Sequence, residues 1–136
     1  MIDYDYNILL KKAEEASKNA YAPYSDFQVG ACVLAKSGKT YIGCNMENAS
    51  YGLTVCAERN ALSNAIVNGE KEILAIAIFS PKMKNCLPCG ACRQVIFEFQ
   101  KEKELEVITQ VSNDDVNSGS YEIHKISGLL PEGFKL

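Results

Sequence analysis

The sequence has no tryptophan, a single histidine and no repeat, low-complexity tract or Pro/Gly/Ser-rich linker in its 136 residues. Nothing in it marks a second domain. Its longest uninterrupted apolar run, Ile73–Phe79, has seven residues. A bilayer span needs about 18–20, so a membrane-spanning helix is excluded. Positive charge is not in excess: 14 basic against 17 acidic residues leave a net charge of −3. Such a chain repels polyanions, which argues against nucleic acid and anionic membrane as partners. Met1-Ile2-Asp3-Tyr4-Asp5 lacks the basic start and apolar stretch of a secretory signal, so a reducing cytoplasm is the expected location.

What is present is ordinary globular composition, 47% hydrophobic and 23% charged, and a length that fits one domain over residues 1–136. Six cysteines stand out. In a reducing compartment, clustered cysteines point to metal ligation or redox chemistry before a disulfide framework.

Hydrophobic spacing predicts the elements. Leu9, Ala13, Ala16 and Ala20 form one stripe of an amphipathic helix, followed by a loop at Tyr21-Ala22-Pro23-Tyr24-Ser25. Gln28–Ala35 and Thr40–Asn45 read as a hairpin around Lys36-Ser37-Gly38. Cys56–Asn68 carries Ala61, Leu62, Ala65 and Ile66 on one face and stops at Gly69, a helix with its terminal glycine. Ile73–Ser80 lacks polar alternation, as a strand covered on both faces does. A third helix from Cys89 to Gln100 turns Cys92, Val95, Ile96 and Phe99 toward the core. Leu105–Val111 and Tyr121–Ile126 are the last strands; the link 112–120 is too short for a parallel crossover, so they should pair antiparallel. The order predicts a three-layer α/β/α sandwich around a five-stranded mixed sheet, with a right-handed crossover at the third helix.

The chemistry lies in two segments. Cys56-Ala57-Glu58-Arg59 opens the second helix and Pro88-Cys89-Gly90-Ala91-Cys92-Arg93-Gln94 the third. Thiols at helix N-termini meet unpaired N–H groups and the positive end of the dipole, which favours the thiolate. Cys89 and Cys92 share a helical face. Glu58 would lie roughly 200° from Cys56 on a regular helix, so Cys56 must precede the first helical residue if both are to face one ion. Three thiolates around Zn²⁺ leave a net −1, which Arg59, Arg93 and the helix N-termini could offset. Three protein ligands leave a position for water, whereas a closed structural site needs four, and Cys86 offers a fourth thiol. Cys56 has no close cysteine partner, which weighs against a closed knob. A redox pair at Cys89 and Cys92 would leave Cys56-x-Glu58 unexplained.

Cys-x-Glu followed some thirty residues later by Pro-Cys-x-x-Cys resembles the zinc-dependent nucleoside and nucleobase deaminases. More narrowly, Tyr21-Ala22-Pro23-Tyr24-Ser25-x-Phe27-x-Val29-Gly30-Ala31, Asn45-x-Glu47-Asn48-Ala49-x-Tyr51, the two cysteine segments and Leu129-Leu130-Pro131-x-x-Phe134 resemble the small tetrameric cytidine deaminases. Asn60 stands where relatives often carry Thr. The resemblance implies one zinc per subunit, held by Cys56, Cys89 and Cys92, with Glu58 as proton shuttle in the hydrolysis of cytidine and 2′-deoxycytidine to uridine nucleosides and ammonia. It implies that Asn45 and Glu47 bind the ribose, that Phe27 packs on the pyrimidine and that the Ala57 N–H meets the base. It also implies that Tyr51 and Phe134 complete a neighbouring subunit's pocket in a homotetramer. Arg59 is expected to temper the charge on the sulfurs. A deaminase of another aminated heterocycle, such as a nucleoside antibiotic, or a catalytically silent zinc protein are the alternatives. Cys32 and Cys44 read as inert small hydrophobes, Met46 and Met83 as loop packing. His124, far from both thiol segments, reads as a non-ligand.

Overall fold

A computed structural model describes residues 3–111 and 120–136. The chain runs α1 (Tyr6–Ser17), β1 (Gly30–Ala35), β2 (Thr40–Cys44), a single 3₁₀ turn (Tyr51–Leu53), α2 (Ala57–Val67), β3 (Ile73–Phe79), α3 (Gly90–Glu98), β4 (Glu106–Gln110), β5 (Tyr121–Lys125) and α4 (Ile126–Leu129). The sheet order is β2-β1-β3-β4-β5. β1 pairs antiparallel with both β2 and β3, β3 pairs parallel with β4, and β4 pairs antiparallel with β5. The mixed sheet and the antiparallel ending are as the sequence predicts; residues 112–119 of the link between β4 and β5 lie outside the described residues.

Alternation along the strands divides the core in two. Cys32 and Leu34 of β1 with Ala75, Ala77 and Phe79 of β3 pack under Tyr6, Leu9, Leu10 and Ala13 of α1. Ala31, Val33, Ile76 and Ile78 face the other way, against Ala57, Ala61, Leu62 and Ala65 of α2 and Cys92 and Ile96 of α3. This makes the three layers, each large aliphatic side chain contributing about 1.5–3 kcal/mol through burial. Two glycines set the spacing. A Cβ on Gly30 would stand 1.9 Å from the Ala13 carbonyl oxygen, and one on Gly43 would stand 2.3 Å from the Ala61 nitrogen. The helices therefore rest backbone to backbone on the sheet, one on each face.

Element ends differ from the sequence expectation for local reasons. The helix predicted to reach Ala20 stops at Ser17, where Lys18, Asn19 and Ala20 donate three residues back to Glu15, Ala16 and Ser17 in tightened turns. Tyr21 is then drawn to the segment after β2: its N–H bonds the Asn45 carbonyl and its carbonyl accepts from Glu47 N–H. β1 starts at Gly30 rather than Gln28 because the Asn45 side chain accepts the Val29 N–H in place of a strand partner. β2 ends at Cys44, before Asn45, and β3 at Phe79, before Ser80. α2 ends at Val67, closed beyond by Gly69 N–H to Ile66 and Glu70 N–H to Ala65, while α3 ends at Glu98, short of Gln100. β4 is one residue shorter at each end than expected, and β5 stops at Lys125 because Ile126 starts the short α4.

The topology explains why the cysteines meet. β2 and β3 are both antiparallel to β1, so they point the same way. Each leads into a helix packed on the same face, so the N-termini of α2 and α3 converge beyond the carboxyl ends of the strands, where ligands of open α/β sheets bind.

Candidate active site

Cys56 is the N-cap of α2, with φ −71° and ψ 156°, and Cys89 is the N-cap of α3, with φ −66° and ψ 168°. The extended backbone at Cys56 removes the 200° conflict, because Cys56 precedes the helix whose first turn carries Glu58. Cys92 follows in the first turn of α3 and is fully buried. The three sulfurs lie within 4.8 Å of one another, with Cys56 and Cys89 4.0 Å apart. Tetrahedral zinc with bonds of about 2.3 Å spaces its sulfurs roughly 3.8 Å apart, so the donor set fits that ion in both chemistry and spacing.

Hydrogen bonding from the Cys92 thiol, together with Arg59 and Cys89, holds the Cys56 thiol down at about 5 against the opposing effect of burial. The same contact with Cys56, and burial, push Cys92 up. Arg59 Nη2 donates to the Cys56 sulfur at 3.6 Å and to the Thr54 carbonyl at 3.5 Å. Arg93 acts elsewhere: its Nε donates to the Pro88 carbonyl at 2.7 Å and its Nη1 to the Leu129 carbonyl at 2.8 Å. Its hydrogen bonds thus go to neutral carbonyls rather than to sulfur, so any offset of the sulfur charge by Arg93 acts through space and not through a direct bond like that of Arg59. Cys86 is not in the metal-binding group found among the described residues. It is buried in the core under α2 and α3, and burial, then the nearby Glu58 and Cys56 charges, raise its thiol to about 11.

Glu58, in the first turn of α2, is 5% exposed. Burial raises its carboxyl to about 7, and the Cys56 charge adds to the rise, while its own backbone N–H, the Cys92 thiol and Arg59 oppose it. A carboxyl so placed can hold or release a proton near neutral pH. Ala57 is the first residue of the same helix, where N–H groups have no intrahelical acceptor.

Asn45 and Glu47 both reach the loop at residues 24–29. Asn45 Nδ2 donates to the Phe27 carbonyl at 2.8 Å, and Oδ1 accepts from Val29 N–H at 2.9 Å. Glu47 Oε1 accepts from the N–H groups of Tyr24 and Ser25 at 2.9 and 3.1 Å, and Oε2 accepts from the Ser25 hydroxyl. These donors, led by Ser25, hold the Glu47 carboxyl below the usual carboxylate range. The pair thus shapes the loop as well as facing it, which the sequence did not indicate; an amide carries two N–H groups and two lone pairs, so Asn45 retains capacity for a ligand. Beside Glu47 lies a cavity of about 400 Å³ lined by Tyr24, Ser25, Tyr51 and Thr54. The rings of Tyr24 and Tyr51 meet edge to face at 6.0 Å. Tyr24, Ser25 and Thr54 had no predicted role; the first two were visible only as part of the Tyr-Ala-Pro-Tyr-Ser segment.

Phe27 is partly buried against the α2–α3 side of the core. Tyr51 and Phe134 are 76% and 68% exposed. His124 sits on β5 against Glu122 and Asn85 and is absent from the cysteine group. Cys32 is fully buried, and burial raises its thiol to about 11.

The family model described as "Cytidine and deoxycytidylate deaminase zinc-binding region" matches residues 4–108. A cytidine deaminase of Halalkalibacterium halodurans is 44% identical over 130 residues, covering 96% of this chain and 94% of that protein. One from Sporosarcina psychrophila is 38% identical over the same length, covering 96% and 91%. The crystal structure of cytidine deaminase from Burkholderia pseudomallei superposes with a TM-score of 0.85 at 41% identity, covering 96% of this chain and all of that one. That of Mycobacterium tuberculosis gives 0.83 at 36% identity, covering 98% and 100%. With a family match over most of its length, relatives this similar from end to end and three sulfurs spaced for zinc at the junction of two helices, the chain belongs to the cytidine and deoxycytidylate deaminase family.

Proposed function

We propose that this protein hydrolyses cytidine and 2′-deoxycytidine to uridine and 2′-deoxyuridine with release of ammonia. The observation that carries this reading is the buried Glu58 carboxyl set beside the three sulfurs of Cys56, Cys89 and Cys92 in a chain of this family. Zinc held by those sulfurs would supply Lewis acidity that makes a water nucleophilic near neutral pH. Glu58 takes the proton of the attacking water and delivers it to ring nitrogen 3 as carbon 4 is attacked. It then carries a proton to the departing amine. A carboxyl shifted toward neutrality by burial suits a group that must accept and donate within one turnover.

Phe27 packs on the pyrimidine and the Ala57 N–H orients it, while Asn45 and Glu47 receive the sugar hydroxyls at the rim. The supporting observation is that Asn45 and Glu47 brace the loop that carries Phe27, so the base and sugar contacts are set by one hydrogen-bonded unit. Tyr51 and Phe134 complete the pocket of an adjoining copy in a cytoplasmic homotetramer, the whole chain forming one domain per subunit. Their exposure on a chain of limited size supports this. Incubating the purified, zinc-loaded protein with cytidine and following cytosine absorbance should show its loss with ammonia release. A protein with full zinc and no such loss would refute the reading. Co-expression of Glu58→Ala with a Phe134 variant should give more activity than the two alone; a simple sum, with mixing of subunits confirmed, would refute the shared pocket.

A further inference from the structure

The carboxamide of Gln94 grips the backbone of Phe134 from both sides. Its Nε2 donates to the Phe134 carbonyl at 3.0 Å, and its Oε1 accepts the Phe134 N–H at 3.1 Å. A side-chain amide thus replaces the backbone of a paired strand, and it is the right group because it carries both donor and acceptor. The neighbouring contacts extend the grip. Arg93 holds the Leu129 carbonyl, a Cβ at Gly133 would stand 2.7 Å from the Phe97 ring, and Lys135 Nζ lies 5.2 Å from the centre of that ring. Gln94 and Phe97 are three apart on α3 and so share a face. The C-terminal segment is therefore laid along the helix that carries Cys92, with Leu129 packed against the core and the Phe134 ring left 68% exposed.

Ordering a terminal segment costs conformational entropy, and burying its aromatic ring on its own chain would be the usual compensation. Here the backbone on both sides of the ring is fixed and the ring itself faces outward. We infer that Gln94 is a positioning residue, which holds the C-terminal segment against α3 so that the Phe134 ring is presented to the nucleoside pocket of an adjoining copy of this chain. The inference rests on the reading that Phe134 completes a neighbour's pocket. Fixing the ring before assembly reduces the ordering cost at the moment the pocket closes.

Gln94→Leu and Gln94→Met both remove the two hydrogen bonds; Met keeps the length of the side chain and Leu, one atom shorter, keeps roughly its bulk. In the zinc-loaded protein, the Phe134 amide should exchange with solvent at least about tenfold faster in both variants. KM for cytidine should rise at least about threefold, with kcat within about twofold and zinc content unchanged, the mark of lost binding rather than lost chemistry. A lower melting temperature and zinc content without that split would mark a general structural defect and overturn the positioning role. Unchanged amide exchange or an unchanged KM in both variants would overturn the inference. Phe134→Ala separates the two levels. If it raises KM while the Gln94 variants do not, the positioning role fails and the pocket reading stands. If Phe134→Ala itself leaves KM unchanged, the pocket reading falls and the inference with it.

Discussion

Arg59 and Cys56 are joined across one turn at the start of α2, guanidinium Nη2 to sulfur, at 3.6 Å. Three thiolates around a divalent ion leave an excess negative charge, and a cation bonded to one sulfur withdraws part of it. Arg59→Ala should therefore weaken the Lewis acidity at the site and lower kcat more than it raises KM. Steady-state kinetics on zinc-matched samples check this; an unchanged kcat would contradict the electrostatic role.

Glu58 is the carboxyl assigned to the successive proton transfers, each of which contributes about 10²–10⁴ in rate. Glu58→Ala should lower kcat by at least about 10⁴ while zinc stays bound. Metal analysis alongside the assay tests both halves. A variant with a tenth of the activity left would remove Glu58 from the mechanism.

The cysteines divide by position. Cys56→Ala, Cys89→Ala and Cys92→Ala should each lose zinc, and stability with it, because metal binding is coupled to folding. Cys86→Ala should retain zinc and activity and lose only about 1–2 kcal/mol, the cost of a small cavity in the core that Cys86 helps fill. Zinc loss in Cys86→Ala would revive a closed four-thiolate site.

Gly30 and Gly43 mark where α1 and α2 touch the sheet. Gly30→Ala and Gly43→Ala would each place a methyl against fixed backbone, and each should cost more than about 1–3 kcal/mol and lower Tm by several degrees. Gly52→Ala, with open space around its Cβ position, is the control and should leave Tm within about 2 °C. Equal melting curves for all three would mean that the sheet and helices can separate without penalty.

Glu47 sits beside the proposed sugar cavity with its carboxyl held ionised by Ser25 and Tyr24. Among the described residues no basic side chain lines that cavity, and its one charged group is the Glu47 carboxylate, which would repel a 5′-phosphate. Cytidine should be turned over and its 5′-monophosphate rejected by at least about tenfold in kcat/KM. Comparable values for the two substrates would move the sugar site elsewhere.

The sequence by itself determined the pieces whose physics is local. Period-3.6 stripes located the three main helices, and apolar runs bounded by turn signals located the strands, because each element must bury one face or both. The Cys56-Ala57-Glu58 and Cys89-x-x-Cys92 segments announced metal chemistry through donor type and spacing. The conflict between Cys56 and Glu58 on a regular helix even required Cys56 to stand outside α2, where the structure has it as N-cap.

Contacts across long stretches of chain were decided only by the tertiary structure. No pattern in the sequence says that Arg93 is held by the Pro88 and Leu129 carbonyls while Arg59 reaches sulfur, for both arginines follow a cysteine within the same kind of helix start. The bracing of the loop at residues 24–29 by Asn45 and Glu47, and the Gln94 clamp on Phe134, join residues 16 to 40 positions apart. Cys86 is three residues from Cys89 and yet belongs to the core rather than to the metal group. Side-chain type limits what a residue can bond; which partner it meets depends on how the sheet order carries β2 and β3 in one direction and brings two helix N-termini together.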